Sequence, residues 1–221
     1  TPDLVNVVRG LRDCFQNDVK VVFCAEEFTQ VINLHNICHE FFLQEGTKYA
    51  RLRKYIQQDD SEYYLCIDND IRGNNECIQP FLLEMIRCKY DLGWGKIAAE
   101  NSNRMVGKLV AIDKILSHYI LRPLLWKFRI GISIPGQLFC LKGSFIRDHF
   151  MQYDTYLDDL AIGLYAREKK CRILCSKNIL GYELPNETFC NLLLQRKRWA
   201  IGFSSVFFNH HDFIAKMLLC I

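Results

Sequence analysis

Tyr63-Tyr64-Leu65-Cys66-Ile67-Asp68-Asn69-Asp70 is the stretch on which the fold turns. Its apolar run lacks polar alternation, which predicts a strand covered on both faces. The run then stops on two carboxylates one residue apart. In open α/β sheets ligands collect beyond the carboxyl ends of the strands. Residues i and i+2 of an extended chain point to the same side. Two like charges held that close repel unless a cation lies between them. Oxygen ligands of this kind suit Mg2+ or Mn2+ held together with substrate phosphates. Asp-Asn-Asp also favours a surface Asx turn, and that plainer reading stands beside the metal-binding one.

On the N-terminal side, Leu4, Val7, Val8, Leu11 and Phe15 recur at helical spacing. Residues 19–23 read as a β-branched strand, and residues 29–42 and 48–56 as helices. On the C-terminal side, residues 80–88 read as a helix with Pro80 in its first turn. Residues 97–100 read as a strand, 106–121 as a long amphipathic helix, and 130–141 as a strand with a Pro135-Gly136 turn. Residues 157–169, 172–175 and 191–203 read as helix, strand and helix. Strands alternate with helices, which predicts an α/β class with a mostly parallel central sheet flanked by helices, residues 64–67 at its centre.

The chain has 221 residues, 50% of them hydrophobic and 24% charged, the makeup of one ordinary globular domain. There is no repeat and no Gly/Ser or Pro linker. Lys and Arg number 28 against 25 Asp and Glu, a net charge of +3. Proteins that live on nucleic acid carry a stronger, clustered basic excess, so no nucleic-acid partner is expected. The eleven cysteines are odd in number, in a long chain without a C-x2-C pair. They read as reduced, mostly buried thiols of a cytosolic compartment, neither a disulfide framework nor a zinc site. The chain opens on Thr1 without a signal peptide, and no stretch reaches the ~18 apolar residues of a bilayer span. It is read as a piece of a longer protein.

Two further clusters can carry chemistry. Asp158-Asp159 opens a helical run, where acidic residues are favoured by the free N–H groups and the dipole. One of the pair can equally serve as a general base. Gln195-Arg196-Lys197-Arg198-Trp199 offers a planar guanidinium fork for phosphate and a flat ring for a sugar or base. A basic helical end near a membrane is its plainer reading.

Order and spacing weigh more than any one cluster. Asp70 and Asp159 are 89 residues apart, and Asp159 and Gln195 are 36 apart. In this arrangement the chain resembles the family 2 glycosyltransferases of the processive branch, the chitin, hyaluronan and cellulose synthases. That family carries Asp-x-Asp after a buried strand, (Thr/Glu)-Asp before a helix, and Gln-x-x-Arg-Trp. Lys48-Tyr49-Ala50-Arg51-Leu52 resembles its Lys-x-x-Ala-Leu-Asn stretch, with Arg53 where the Asn would stand. Pro135-Gly136-Gln137-Leu138-Phe139 resembles its acceptor-side loop, and Gln-Arg-x-Arg-Trp leans toward chitin synthases. The resemblance covers residues 4–203. It departs in two places: no nucleotide-binding strand precedes Thr1, and Glu26-Glu27 stand where a second aspartate is expected.

The resemblance implies a GT-A-like nucleotide-sugar transferase fold over residues 1–203, with residues 204–221 starting an interfacial helix. It implies inverting transfer from a UDP-sugar, N-acetylglucosamine favoured, to a growing polysaccharide. The alternatives are a single-transfer lipid glycosyltransferase similar to ceramide glucosyltransferase, with a glycolipid acceptor product, and a non-catalytic nucleotide-sugar-binding domain. The resemblance makes Asp159 the base and Asp70, with Asp68, the ligands of Mg2+ or Mn2+. It assigns Lys48, Asp68, Gly136, Gln195, Arg198 and Trp199 to substrate binding. It implies association with a membrane through segments outside this chain, with this domain facing the cytosol.

Overall fold

The computed structural model describes residues 2–26, 39–147, 155 and 157–209. Strands Val22–Ala25 (β1) and Glu40–Leu43 (β2) pair in parallel as a two-stranded sheet. Strands Tyr63–Ile67 (β3), Ile71–Gly73 (β4), Leu92–Ala99 (β5), Leu138–Lys142 (β6) and Ile173–Glu183 (β7) form a second sheet in the order β3-β6-β5-β7-β4. Helices Pro2–Phe15 (α1), Lys48–Gln58 (α2), Asn75–Arg87 (α3), Met105–Ile115 (α4), Arg122–Lys127 (α5), Gly143–Ile146 (α6), Asp158–Glu168 (α7) and Phe189–Asn209 (α8) surround them. The α/β class is as expected from the sequence.

Side-chain alternation on β6 shows how the layers are made. Phe139 and Leu141 face a core with Tyr49, Ile56, Trp94 and Tyr165, which lies under α2 and α7. Leu138 and Cys140 face a core with Val7, Leu11, Ile78, Phe81 and Met85, which lies under α1 and α3. The period of two thus feeds both faces of one strand. On β5 the same alternation places Gly93 against Met85 and Phe81, where a Cβ would sit 2.2 Å from Met85 Sδ.

Several details depart from the sequence reading. The five-stranded sheet is mixed: β5 and β7 run parallel, while β3–β6, β5–β6 and β4–β7 are antiparallel. Strand direction is set by how each connection returns the chain, which periodicity does not record. β3 has side chains in both cores, as its unbroken apolar run predicted, yet it is an edge strand of this sheet and half-buried rather than central. Residues 40–43, expected in a helix, are β2, since pairing with β1 overrides weak local periodicity; the rest of that stretch up to residue 38 lies outside the described residues. Pro80 sits in the sixth position of α3, because that helix begins at Asn75. The long amphipathic stretch becomes α4, a π-helical segment Leu116–Leu121, and α5. Of the described thiols only Cys140 is buried; Cys14, Cys24 and Cys190 are exposed, and none of the described thiols is in a disulfide.

No helix among the described residues is long and apolar enough to cross a membrane. α8 runs through residue 203 to Asn209. α7 is seated by a close backbone approach: a Cβ on Gly163 would lie 2.5 Å from the Ile132 carbonyl oxygen. Backbone cannot yield as a flexible side chain does. Gly163→Ala is therefore expected to lower stability by about 1–3 kcal/mol, the usual cost of overpacking. Urea denaturation measures it, and an unchanged midpoint would contradict this packing.

Candidate functional site

β3 ends where the Asp68 N–H donates to the Gln137 carbonyl at 2.9 Å, and a turn at Asn69 and Asp70 leads into β4. β3 and β4 lie at opposite edges of the sheet. The Asp-Asn-Asp turn therefore carries the chain from one edge to the other. It is a turn, as the plainer reading held, and it also presents both carboxyl groups.

Lys48 stands in the first turn of α2, whose start is fixed by the Thr47 hydroxyl accepting the Ala50 N–H at 3.1 Å. Its ammonium lies 2.6 Å from Asp68 Oδ1 and 3.0 Å from Asp158 Oδ2, and it donates to the Gly136 carbonyl at 2.6 Å. It also lies 5.6 Å from the centre of the Phe139 ring. Burial pulls this ammonium toward its neutral form. The charges of Asp158 and Asp68 more than offset that and hold its pKa above the ordinary lysine value. One cation thereby joins three stretches that are far apart in sequence.

The loop carrying Gly136 closes on the start of α7. The Ile134 N–H donates to the Asp159 carbonyl at 3.3 Å, and a Cβ on Gly136 would lie 3.0 Å from Asp159 Cβ. Asp159 Oδ1 accepts the Leu160 N–H at 2.9 Å, so the side chain does act at the helix start. Burial pushes the Asp159 carboxyl up to about 6; neighbouring Asp158 pushes the same way, and Arg122 and Lys48 oppose. Asp68 is also pushed up to about 6 by burial, against the pull of Lys48. Asp158 Oδ2 is buried, and its contact with Lys48 is an ion pair outside hydrogen-bond geometry, so it retains acceptor capacity.

Asp70 is exposed, and no described residue pairs with it. Asp68 and Asp70 fit a divalent cation of the kind held by one or two carboxylates plus substrate oxygens. Among the described residues no three His, Cys, Asp or Glu side chains gather into an all-protein metal cage. Glu26 follows β1 as an exposed side chain 3.9 Å from Arg51 Nη1, and Glu27 lies outside the described residues.

The structure joins Lys48, Asp68, Gly136 and Asp158 directly, with Asp159 against Gly136. It does not join Gln195, Arg198 or Trp199 to them. All three are on α8, which reaches α7 through Val206 and Phe207. Arg198 is exposed, and Arg196 takes the contacts instead: it pairs with Asp113 at 2.6 Å and covers the Trp199 ring at 4.3 Å. Gln137 was missed as a functional residue. Besides accepting from Asp68, its side chain donates to Glu183 Oε2 at 3.1 Å, and Glu183 is paired with Lys114. The Pro-Gly-Gln stretch signals a loop, but nothing local announces these partners.

No family model matches the chain, and no curated protein matches it. Solved structures do. S. aureus TarS 1-349 in complex with UDP-GlcNAc is similar with a TM-score of 0.53 and 13% identity, over 83% of this chain and 55% of that one. The mannosyltransferase PcManGT from Pyrobaculum calidifontis, in complex with GDP-Man and Mn2+, is similar with a TM-score of 0.54 and 12% identity, over 97% of this chain and 64% of that one. The chain spans 55% of the TarS fragment's length and 64% of the mannosyltransferase's. At such identities the likeness is one of fold: the chain has a GT-A-type α/β fold.

Proposed function

We propose that this chain is the catalytic part of an inverting family 2 glycosyltransferase that moves a sugar from a UDP-sugar donor to a growing polysaccharide. N-acetylglucosamine is the favoured sugar, and the full protein works at a membrane with this part facing the cytosol. The observation that carries the reading is the Lys48 ammonium, which gathers Asp68, Asp158 and Gly136 at one point. Four of the stretches that resemble the family's motifs meet there, in a chain whose fold also occurs in nucleotide-sugar-bound proteins.

The roles follow from the chemistry. Asp159 takes the proton from the acceptor hydroxyl as its oxygen bonds to the anomeric carbon and the bond to the diphosphate breaks. Displacement from the opposite face inverts that carbon without a covalent enzyme intermediate, unlike the retaining route. Asp70 and Asp68 are the residues that would hold Mg2+ or Mn2+, which when bound neutralises charge on the leaving diphosphate. Lys48 keeps Asp68 and the Gly136 loop in register for the donor. Arg198, exposed on α8, is assigned to the diphosphate, and Trp199 and Gln195 to the acceptor.

Asp70→Ala removes an exposed hard anion. Transfer should be lost and metal-dependent UDP affinity should fall, with stability little changed; calorimetry with and without EDTA measures this. UDP binding indifferent to both EDTA and the substitution would refute the metal assignment. Labelled UDP-sugar products then separate a polymer from a single transferred sugar.

Asp159→Asn keeps size and capping capacity, so the fold should stand while turnover drops by about 10²–10⁴. Asp158→Asn should cost less. Equal small losses for both would reduce the pair to a helix cap.

The wild-type pH dependence has two opposite signs. A base must be ionised, so turnover should fall as pH drops through about 6. The folded pKa values of Asp159 and Asp68 are raised, so protonation favours the folded state. Their contribution to stability is full below the unfolded carboxylate range and is lost as pH rises through about 6. Between about pH 7 and about pH 5 turnover should fall, while the two carboxyls act to raise the thermal midpoint and His118, whose imidazole is held down to about 2 by burial, acts to lower it. The midpoint of Asp159→Asn minus that of the wild type isolates the Asp159 carboxyl and should fall over the same interval; a difference that stays constant would contradict the assignment.

A further inference from the structure

Arg122 is a half-buried cation at the start of α5, and among the described residues no carboxylate lies within ion-pair distance of it. A charge drawn out of water normally has a counter-charge close by. Its support is specific. The helix takes π winding over Leu116–Leu121, and His118, which is 3% exposed, turns inward there with Arg122 one turn on. The Nδ1 of His118 faces the Ile97 N–H of β5 at 3.2 Å, and its Nε2 faces Arg122 Nη1 at 2.9 Å. Burial holds this imidazole down to about 2, so it is neutral and has one accepting nitrogen. It satisfies the Ile97 N–H or an Arg122 hydrogen, not both. Arg122 Nε also donates to the Ser133 hydroxyl at 3.5 Å. These contacts fix the guanidinium in place without neutralising it.

The stretch that carries Ser133 is also the one that seats Asp159. The Ser133 carbonyl accepts from Trp126 Nε1 of α5 at 2.8 Å, and the next N–H, of Ile134, donates to the Asp159 carbonyl at 3.3 Å. Residues 132–134 thus lie between α5 and α7. Across them the two charges act on each other. Burial pushes the guanidinium toward its neutral form and Asp159 opposes that; Arg122 in turn opposes the burial and the Asp158 charge that push the Asp159 carboxyl up. The other charges that reach this pair are already shared. Lys48 of α2 lies against Asp68 and Asp158, and Asp113 of α4 is paired with Arg196 at 2.6 Å.

We propose that Arg122 is a positioning residue for the base: held by His118 and Ser133, its guanidinium is the counter-charge that keeps the Asp159 side chain a carboxylate, ready to take the acceptor proton. The inference rests on the reading of Asp159 as the base.

Three substitutions test it. Arg122→Met removes the charge and leaves an apolar stem, Arg122→Gln removes it and keeps a donor for His118 or Ser133, and Arg122→Lys retains it. Far-UV circular dichroism shows which chains fold, and either of the first two suffices. Without the charge, the acid limb of turnover should move up by about one pH unit or more, a loss of roughly fivefold or more near pH 6 that recovers as pH rises toward about 9. Arg122→Lys should leave the limb near its wild-type position. His118 stays neutral over this range, so it does not supply the limb. A second readout needs no turnover. The thermal midpoint of Asp159→Asn minus that of its parent, followed across pH, reports the Asp159 carboxyl. Its change should move to higher pH when the parent is Arg122→Met or Arg122→Gln. That movement, together with an Asp159→Asn chain as active as wild type, would sink the base reading and leave the charge coupling standing. A limb and a midpoint difference that both stay at the wild-type pH in a folded, charge-free variant would overturn the proposal. So would turnover lost equally at every pH with the midpoint difference unmoved, since packing alone would then account for Arg122.

Discussion

The placement of the Lys48 ammonium is the constraint from which the rest of this site follows. It spends its hydrogens on Asp68, the Gly136 carbonyl and the vicinity of Asp158, and a lysine has three to give. Each partner comes from a different part of the fold: the end of β3, the loop before β6, and the start of α7. Without a cation there, carboxylates from two elements would face each other in a partly dry space, where like charges raise each other's pKa. With it, the loop, the strand end and the helix start share one set of positions.

The sheet makes that convergence possible. β6 is buried on both faces and pairs with β3 on one side and β5 on the other. Its two cores hold α2 and α7 against one face and α1 and α3 against the other. α2 and α7 therefore sit on the same side, which is why Lys48 from one reaches Asp158 from the other. The half-buried pair of Lys114 and Glu183 adds a tether: Glu183 accepts from Gln137, whose carbonyl accepts the N–H of Asp68. Lys114 of α4 is thus three contacts away from the Asp-Asn-Asp turn.

The two carboxyl groups held near 6 show how the same burial that builds the core sets the chemistry. Asp70, at the same turn, is exposed to solvent. One short stretch hence offers a shielded carboxyl and an open one, and α7 offers a carboxyl seated against a loop. A water-exposed turn bearing the same residues would hold none of these distinctions.

What could be read in the sequence was local. The strand ending in carboxylates, α1, α2, α7 and α8 all follow from periodicity and from residues at their ends, which act over one or two turns. The candidate residues were legible too, since spacing along the chain preserves the order of Lys48, Asp68, Gly136, Asp159 and Gln195. Tertiary structure decided what depends on contacts between distant segments. Residues 40–43 became a strand because β1 lies beside them, the sheet became mixed because connections return the chain in both directions, and β3 became an edge. Lys48 found Asp158 across 110 positions of sequence through the packing of α2 and α7 on one face. The separation of Arg198 and Trp199 from the carboxylates has the same origin. A side chain's own pattern says what it can bond; only the folded chain determines which partner comes within bonding distance.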